Sequence, residues 1–314
     1  MKKFLVITLL NVSQQLSANK IDSLRSDEDV LTFLRTVDKE FAGTTFRRPA
    51  FLSIDSLRSQ YKCDLPQNIT HLKKWDKVDL DMDGRTDLLT TIYWIPISEY
   101  AADNVDIYVI LDQGNNSFRT VRVSKGILPR CQFAKPIFFH GNAGLLFYDR
   151  EYTLRNGAVN MLDLESVVKA DTLIYKDGVF VEYNDRPSLK NIRFVEFRTS
   201  RCYGFCPVFW MRINNDRKAI YQAIQFNRME GMLEGTIREK EFERIIALVR
   251  YLKIDQLKDE YRVSWTDDQT GFLKICFEDD SVKEIEDYGL LGSFGLTALY
   301  NLFFDFRENQ EWKR

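Results

Sequence analysis

Asp79-Leu80-Asp81-Met82-Asp83-Gly84-Arg85-Thr86-Asp87 places acidic side chains at positions 1, 3, 5 and 9 of one short loop, with glycine at position 6. Alternate carboxylates converge on one point, and the glycine permits the sharp turn such convergence needs. Hard cations take oxygen ligands of this kind, so the stretch reads as a calcium loop to which the carbonyl of Arg85 can add a ligand. Without a cation, four carboxylates this close repel one another. The flanks decide the fold. A helix–loop–helix calcium motif needs a bidentate Glu at position 12, where this chain has Thr90. On the C-terminal side, Leu88 to Ile97 is β-branched and aromatic, so the loop reads as the turn of a hairpin in an antiparallel sheet.

The same texture extends outward. Val105 to Leu111 turns through Gly114-Asn115-Asn116 into Phe118 to Val123, and Pro136 to Phe139 and Leu145 to Tyr148 flank another Gly-Asn turn. Thr172 to Tyr175 and Val179 to Tyr183 are joined by Lys176-Asp177-Gly178, whose Asp-Gly pair suits a primed hairpin turn. Upstream, Ser26-Asp27-Glu28-Asp29 forms a capping box, followed by Val30, Phe33, Leu34, Val37 and Phe41 at helical spacing, which predicts a helix over 27–41. The hexapeptide Ile-Asp-Ser-Leu-Arg-Ser occurs at 21–26 and at 54–59 with unrelated flanks, and is read as coincidence.

Asn184-Asp185-Arg186-Pro187-Ser188 is a polar, proline-bearing break, and the domain boundary is placed there. Beyond it the pattern predicts strands at Ile192–Thr199, Val208–Ile213 and Ala219–Gln225, then a helix over 238–252. A hairpin of Phe272–Phe277 and Val282–Ile285 follows, and a last helix carries Leu296, Leu299, Tyr300 and Phe303. The fold class is therefore α+β. An N-terminal helix and antiparallel β meander over 20–184 precede a smaller unit over 190–314 with the order β-β-β-α-β-β-α.

At 314 residues the chain can hold two cores, and a net charge of −2 argues against nucleic acid as a partner, because binding phosphates needs a basic face. With only two histidines, His71 and His140, zinc sites and His-based triads are disfavoured. Met1-Lys2-Lys3, the apolar run Phe4 to Leu10, and the exit Leu16-Ser17-Ala18 have the layout of a signal peptide over 1–18, which predicts a periplasmic or secreted protein. No later apolar stretch approaches the ~20 residues that span a bilayer. Among five cysteines, Cys202 can pair with Cys206 and Cys63 with Cys131, leaving Cys276 as a half-buried thiol. For Cys202 and Cys206 a structural disulfide is preferred, with redox chemistry and metal binding as alternatives. The pair has three intervening residues and runs into a strand, whereas redox pairs have two and sit at a helix N-terminus. Asp267-Asp268 and Glu278-Asp279-Asp280 read as solvated turns before they read as acid–base pairs. The tryptophans Trp75, Trp94, Trp210 and Trp265 read as core before they read as a ligand groove.

Over residues 75–110 the chain resembles a single calcium-loop repeat of the integrin-type β-propeller kind. The resemblance implies the side chains of Asp79, Asp81, Asp83 and Asp87 and the carbonyl of Arg85 as ligands of Ca2+. A closed set of this sort suits a structural ion. Separately, Ser200-Arg201-Cys202-Tyr203-Gly204-Phe205-Cys206-Pro207, with Thr266-Asp267 and Asp287-Tyr288-Gly289, resembles a bacterial secreted domain family of unknown function whose hallmark is Ser-x-Cys-aromatic-Gly-x-Cys-Pro. That resemblance spans 190–314 and lends no activity. The sequence thus predicts an exported, calcium-braced binding or structural module of the cell envelope with an unidentified envelope or extracellular ligand. The alternative is an envelope enzyme, either a carboxylate-based hydrolase or a thiol oxidoreductase using Cys202 and Cys206.

Overall fold

A computed structural model of the chain describes residues 19–63, 72–126, 131–154, 164–263 and 265–314. The segment read as a signal peptide and His71 lie outside the described residues. The class is α+β, with 22% helix and 42% strand.

The N-terminal half begins with α1 (Lys20–Ser23) and α2 (Asp27–Val37). The α2 capping box is formed, with Asp29 N donating to Ser26 Oγ at 3.2 Å and Ser26 N donating to Asp29 Oδ2 at 2.9 Å. This helix is shorter than its apolar periodicity suggests. Asp38 is extended and caps both sides of the break: its N–H closes α2 on Leu34, and its carboxylate starts a 3-10 turn over Lys39–Ala42. Phe41 is still buried, so the apolar spacing was preserved through a change of helix type.

Strands β1 (Arg47–Ala50), β2 (Trp75–Val78), β3 (Asp87–Pro96), β4 (Asn104–Asp112) and β5 (Phe118–Arg122) form an antiparallel sheet ordered β1-β3-β4-β5, with β2 also on β3. The helix α3 (Ile54–Tyr61) lies between β1 and β2 in the chain. A second antiparallel sheet contains β6 (Phe133–Phe139), β7 (Asn142–Leu154), β8 (Leu164–Lys176) and β9 (Val179–Glu182) in sequential order. These strands make two sheets where one continuous meander was expected, and β4 supplies the reason. All nine of its residues are buried. On one face Tyr108 and Ile110 pack with Val30, Phe33 and Leu34 of α2; on the other Ile107, Val109 and Leu111 pack with Leu145, Phe147 and Leu173 of the second sheet. A strand apolar on both faces needs two covers, and each fully buried Ile, Val or Leu is worth ~1.5–3 kcal/mol.

In the C-terminal half β10 (Ile192–Thr199), β11 (Val208–Asn214), β12 (Lys218–Gln225), β13 (Gly231–Thr236), β14 (Glu260–Arg262), β15 (Thr270–Phe277), β16 (Val282–Tyr288) and β17 (Trp312–Lys313) form one sheet. Its order is β14-β16-β15-β10-β11-β12-β13-β17. Three of these strands, β13, β14 and β17, were not foreseen; β14 and β17 are short edge pieces. The helices α4 (Glu239–Tyr251) and α5 (Phe294–Asn309) share a core with the inward residues of this sheet, among them Phe197, Phe209, Met211 and Leu273. Among the described residues both helices of this half lie on the inward side of the sheet.

The two halves are tied together at the chain's crossing. Val181 of β9 belongs to the core under α5, while Phe294 of α5 belongs to the sandwich core, its ring edge-on to Phe147 at 5.0 Å. Glu182 accepts from Phe294 N at 2.6 Å and Gly295 N at 3.0 Å, and Asn184 is bonded to the Tyr251 hydroxyl and carbonyl.

Candidate metal centre

The acidic loop closes the β2–β3 hairpin, in which Val78 pairs with Asp87. Leu80 is buried in the sandwich core and anchors the loop from within. Met82 and Gly84 take left-handed backbone angles, φ 59° and 88°, which bend the chain back on itself. Asp79 accepts from Asp83 N at 3.1 Å and Gly84 N at 2.9 Å, and Asp87 accepts from Leu80 N at 2.8 Å and Asp112 N at 2.9 Å. Asp87 therefore knits the loop to the end of β4.

One oxygen each from Asp79, Asp81 and Asp87 lies within 4.8 Å of the others. Asp83 stands apart: its carboxylate is ion-paired with Arg85 and accepts from Arg85 N at 2.9 Å. The Arg85 guanidinium is further fixed by donating to the Asp112 carbonyl at 2.8 Å. Asp81 Oδ1 is buried and has no hydrogen-bond partner. Burial pushes the Asp87 carboxyl up to about 7; the charges of Asp81 and Asp79 add to this, and its two backbone donors oppose it. Burial, followed by the charge of Asp83, raises Asp81 as well. Three converging carboxylates with an orphaned oxygen are costly unless a proton or a cation sits among them. Their hard-oxygen chemistry fits Ca2+ or another hard divalent cation.

The cysteine pairs are bonded. Cys63–Cys131 spans 5.6 Å between Cα atoms and ties the end of α3 to the entry of β6, and Cys202–Cys206 spans 5.9 Å. Cys276 is unpaired and buried. The residues that carry the second family resemblance come together around the Cys202–Cys206 loop. Tyr203 N donates to the Asp267 carbonyl at 3.2 Å, Asp268 N to the Tyr288 hydroxyl at 3.1 Å, and Gly289 N to the Gln269 carbonyl at 2.9 Å. The buried amide of Gln269, which no motif or periodicity marks out, donates to the carbonyls of Ser200 and Pro207, both at 2.8 Å. On this base Tyr203 and Phe205 stand in solvent, 89% and 88% exposed.

The remaining acidic candidates serve turns and ion pairs. Asp268 accepts from the Trp265 indole at 2.9 Å, Asp279 pairs with Lys190 at 3.3 Å, and Asp280 with Arg193 at 2.5 Å. Trp94 is fully buried under the Arg47 guanidinium, and the Trp75 indole donates to Asp27 at 3.0 Å. Trp210 lies on the outward sheet face. Sequence reasoning missed Lys125, whose ammonium sits 4.3 Å from the centre of the Phe294 ring and 3.3 Å from the Leu291 carbonyl. Burial lowers its pKa, against the pull of Glu182, Asp149, Asp171 and Asp287. A lone lysine after a strand carries no sequence signal.

Residues 193–307 match a family model described as a domain of unknown function, DUF6438. The match covers the cysteine loop, both helices of the C-terminal half and most of its sheet. No curated protein and no solved structure matches the chain. Among the described residues no helix is long and apolar enough to cross a membrane.

Proposed function

We propose that the chain is an exported, non-enzymatic binding protein of the cell envelope or its surroundings, directed there by residues 1–18. A calcium-braced β module, residues 20–184, is joined to a disulfide-clipped α+β module, residues 190–314. The observation that carries the calcium reading is the convergence of Asp79, Asp81 and Asp87 around an oxygen with no partner. These three side chains would hold the ion, with Asp83 and the Arg85 carbonyl as further ligands if the Asp83–Arg85 pair opens. The ion would supply positive charge to a buried acidic turn and so stiffen the β2–β3 hairpin. Two bonded cysteine pairs support an oxidising location. The enzyme alternatives have less support, because the acidic pairs at 267–268 and 278–280 are engaged in turns and the Cys202–Cys206 segment leads into a strand. Melting of the purified protein in EDTA and in excess calcium tests the reading: a calcium-dependent rise that Asp81→Asn abolishes supports it, and indifference to both reagents rejects it.

A further inference from the structure

The outward face of the C-terminal sheet is built in register from residues that complement their neighbours. Phe272, Arg198, Trp210, Gln222 and Met232 form one row across β15, β10, β11, β12 and β13. The next outward row runs Lys274, Glu196, Arg212, Ile220 and Glu234. Arginines are held flat: Arg198 lies 3.7 Å over the Phe272 ring and Arg212 lies 3.7 Å over Phe194. Between Arg198, Trp210, Gln222 and Ile224 the surface dips into a shallow depression. Ile224, Phe226 and Met232 are about half exposed, at 50%, 45% and 55%, and the Phe226 ring lies edge-on to the exposed Phe205 at 5.2 Å. A sheet face turned to water is ordinarily polar. This one sets Phe272, Trp210, Ile220, Ile224 and Met232 among the charges of Lys274, Glu196, Arg198 and Arg212, the mixture of apolar anchors and polar groups that interaction surfaces present.

We propose that this face is a two-fold interface between two copies of the chain. The seam between β10 and β11 pairs Glu196 with Arg212 and Arg198 with Trp210. A two-fold axis lying along that seam, parallel to the strands, sets each residue over the seam partner of the other copy. Glu196 then meets the second copy's Arg212, and Arg198 meets its Trp210 ring, each contact occurring twice. Phe272 meets Gln222 by the same rotation. The Cys202–Cys206 loop joins β10 to β11, so it sits on the axis and meets its own copy, covering Tyr203 and Phe205. At the rim Glu284, across from Lys274, would face Glu234, a like-charge pair that the opposed twist of two packed sheets carries apart. Because Arg198 and Arg212 are already stacked in the single chain, little side-chain freedom is lost on association.

The test uses the oxidised full chain in analytical ultracentrifugation. Wild type should sediment at about twice the 37.0 kDa of the single chain. Glu196→Arg and Arg212→Glu should each weaken association by about tenfold or more, because each places like charges at both seam contacts. Mixing the two variants should restore a dimer, since every seam position then meets its opposite, and the double variant should dimerise by itself. Circular dichroism of each variant separates lost association from lost folding. A wild-type chain that remains a single copy at its solubility limit, with or without binding to lipid vesicles, overturns the proposal. Folded single variants that associate no better mixed than apart overturn it too.

Discussion

Glu182→Ala probes whether the two halves are one mechanical unit. The N–H groups that open α5 have no partner within the helix, and the chain supplies one for Phe294, Gly295 and Leu296. Glu182 takes Phe294 N and Gly295 N at 2.6 and 3.0 Å, and Ser293 Oγ takes Leu296 N at 3.1 Å; Thr297 N, at 3.0 Å from the Ser293 carbonyl, makes the first bond of the helix itself. Two of these three are therefore satisfied from β9, on the far side of the break at 184–188. Removing the carboxylate deletes two charge-assisted bonds and an anion at a helix N-terminus, each bond worth ~1.5–3 kcal/mol when both partners stay dry. Glu182 is half-buried, and water replaces part of the loss, so the expected total is ~2–3 kcal/mol. At ~2 °C per kcal/mol for a chain of this length, Tm should fall by ~4–6 °C. Glu182→Gln keeps one acceptor and loses the charge, so it should cost about half as much. Urea unfolding followed by tryptophan fluorescence and far-ultraviolet circular dichroism is the assay. Wild type should give coincident transitions and Glu182→Ala a separation of the two probes. A loss below ~0.5 kcal/mol would refute the idea that this cap couples the halves.

Three further outcomes follow from the same packing. Cys63→Ala/Cys131→Ala opens a loop of 68 residues and should cost ~4 kcal/mol by loop entropy, against ~2 for Cys202→Ala/Cys206→Ala with a separation of 4; denaturant midpoints of the two double variants give the order. Gly295→Ala, which ordinarily strengthens a helix by ~1 kcal/mol, should instead destabilise by ~1–3 kcal/mol because its Cβ lands on the buried Leu252 side chain. Asp87, raised to about 7 in the fold from 3.8 in the unfolded chain, contributes stability that is fully present below 3.8 and is lost as pH rises through about 7. Metal-free protein should therefore lose stability between about pH 4 and about pH 7, and Asp87→Asn should flatten that slope.

Much of the fold was legible where local chemistry and burial agree. Asp177-Gly178 forms its turn with φ of 50° and 90°, the Ser26 capping box starts α2, and the apolar periodicity of α4 and α5 places both helices. What escaped was decided by tertiary context. The hexapeptide Ile-Asp-Ser-Leu-Arg-Ser lies within α3 at 54–59, but at 21–26 it gives one helical turn and then extends, because Leu24 is drawn into the core beside α2. The strand β1 contains Pro49, a residue that weakens any strand signal and is tolerated beside β3 at a sheet edge. In the acidic loop the spacing identified the converging Asp79, Asp81 and Asp87. It could not show that Asp83 turns to Arg85, since a short-range ion pair and a ligand position have the same sequence pattern. The junction of Lys125, Glu182 and Phe294 was invisible, as its members lie 169 positions apart at the extremes and meet only through packing.

Isothermal titration of calcium into EDTA-stripped protein tests the acidic loop as a metal site. One equivalent should bind, with Kd of roughly 0.1–1 mM as for extracellular calcium modules, a Tm rise of ~3–5 °C at about ten to a hundred times Kd, and loss of both in Asp81→Asn. Absence of a binding isotherm together with an unchanged Tm would contradict it.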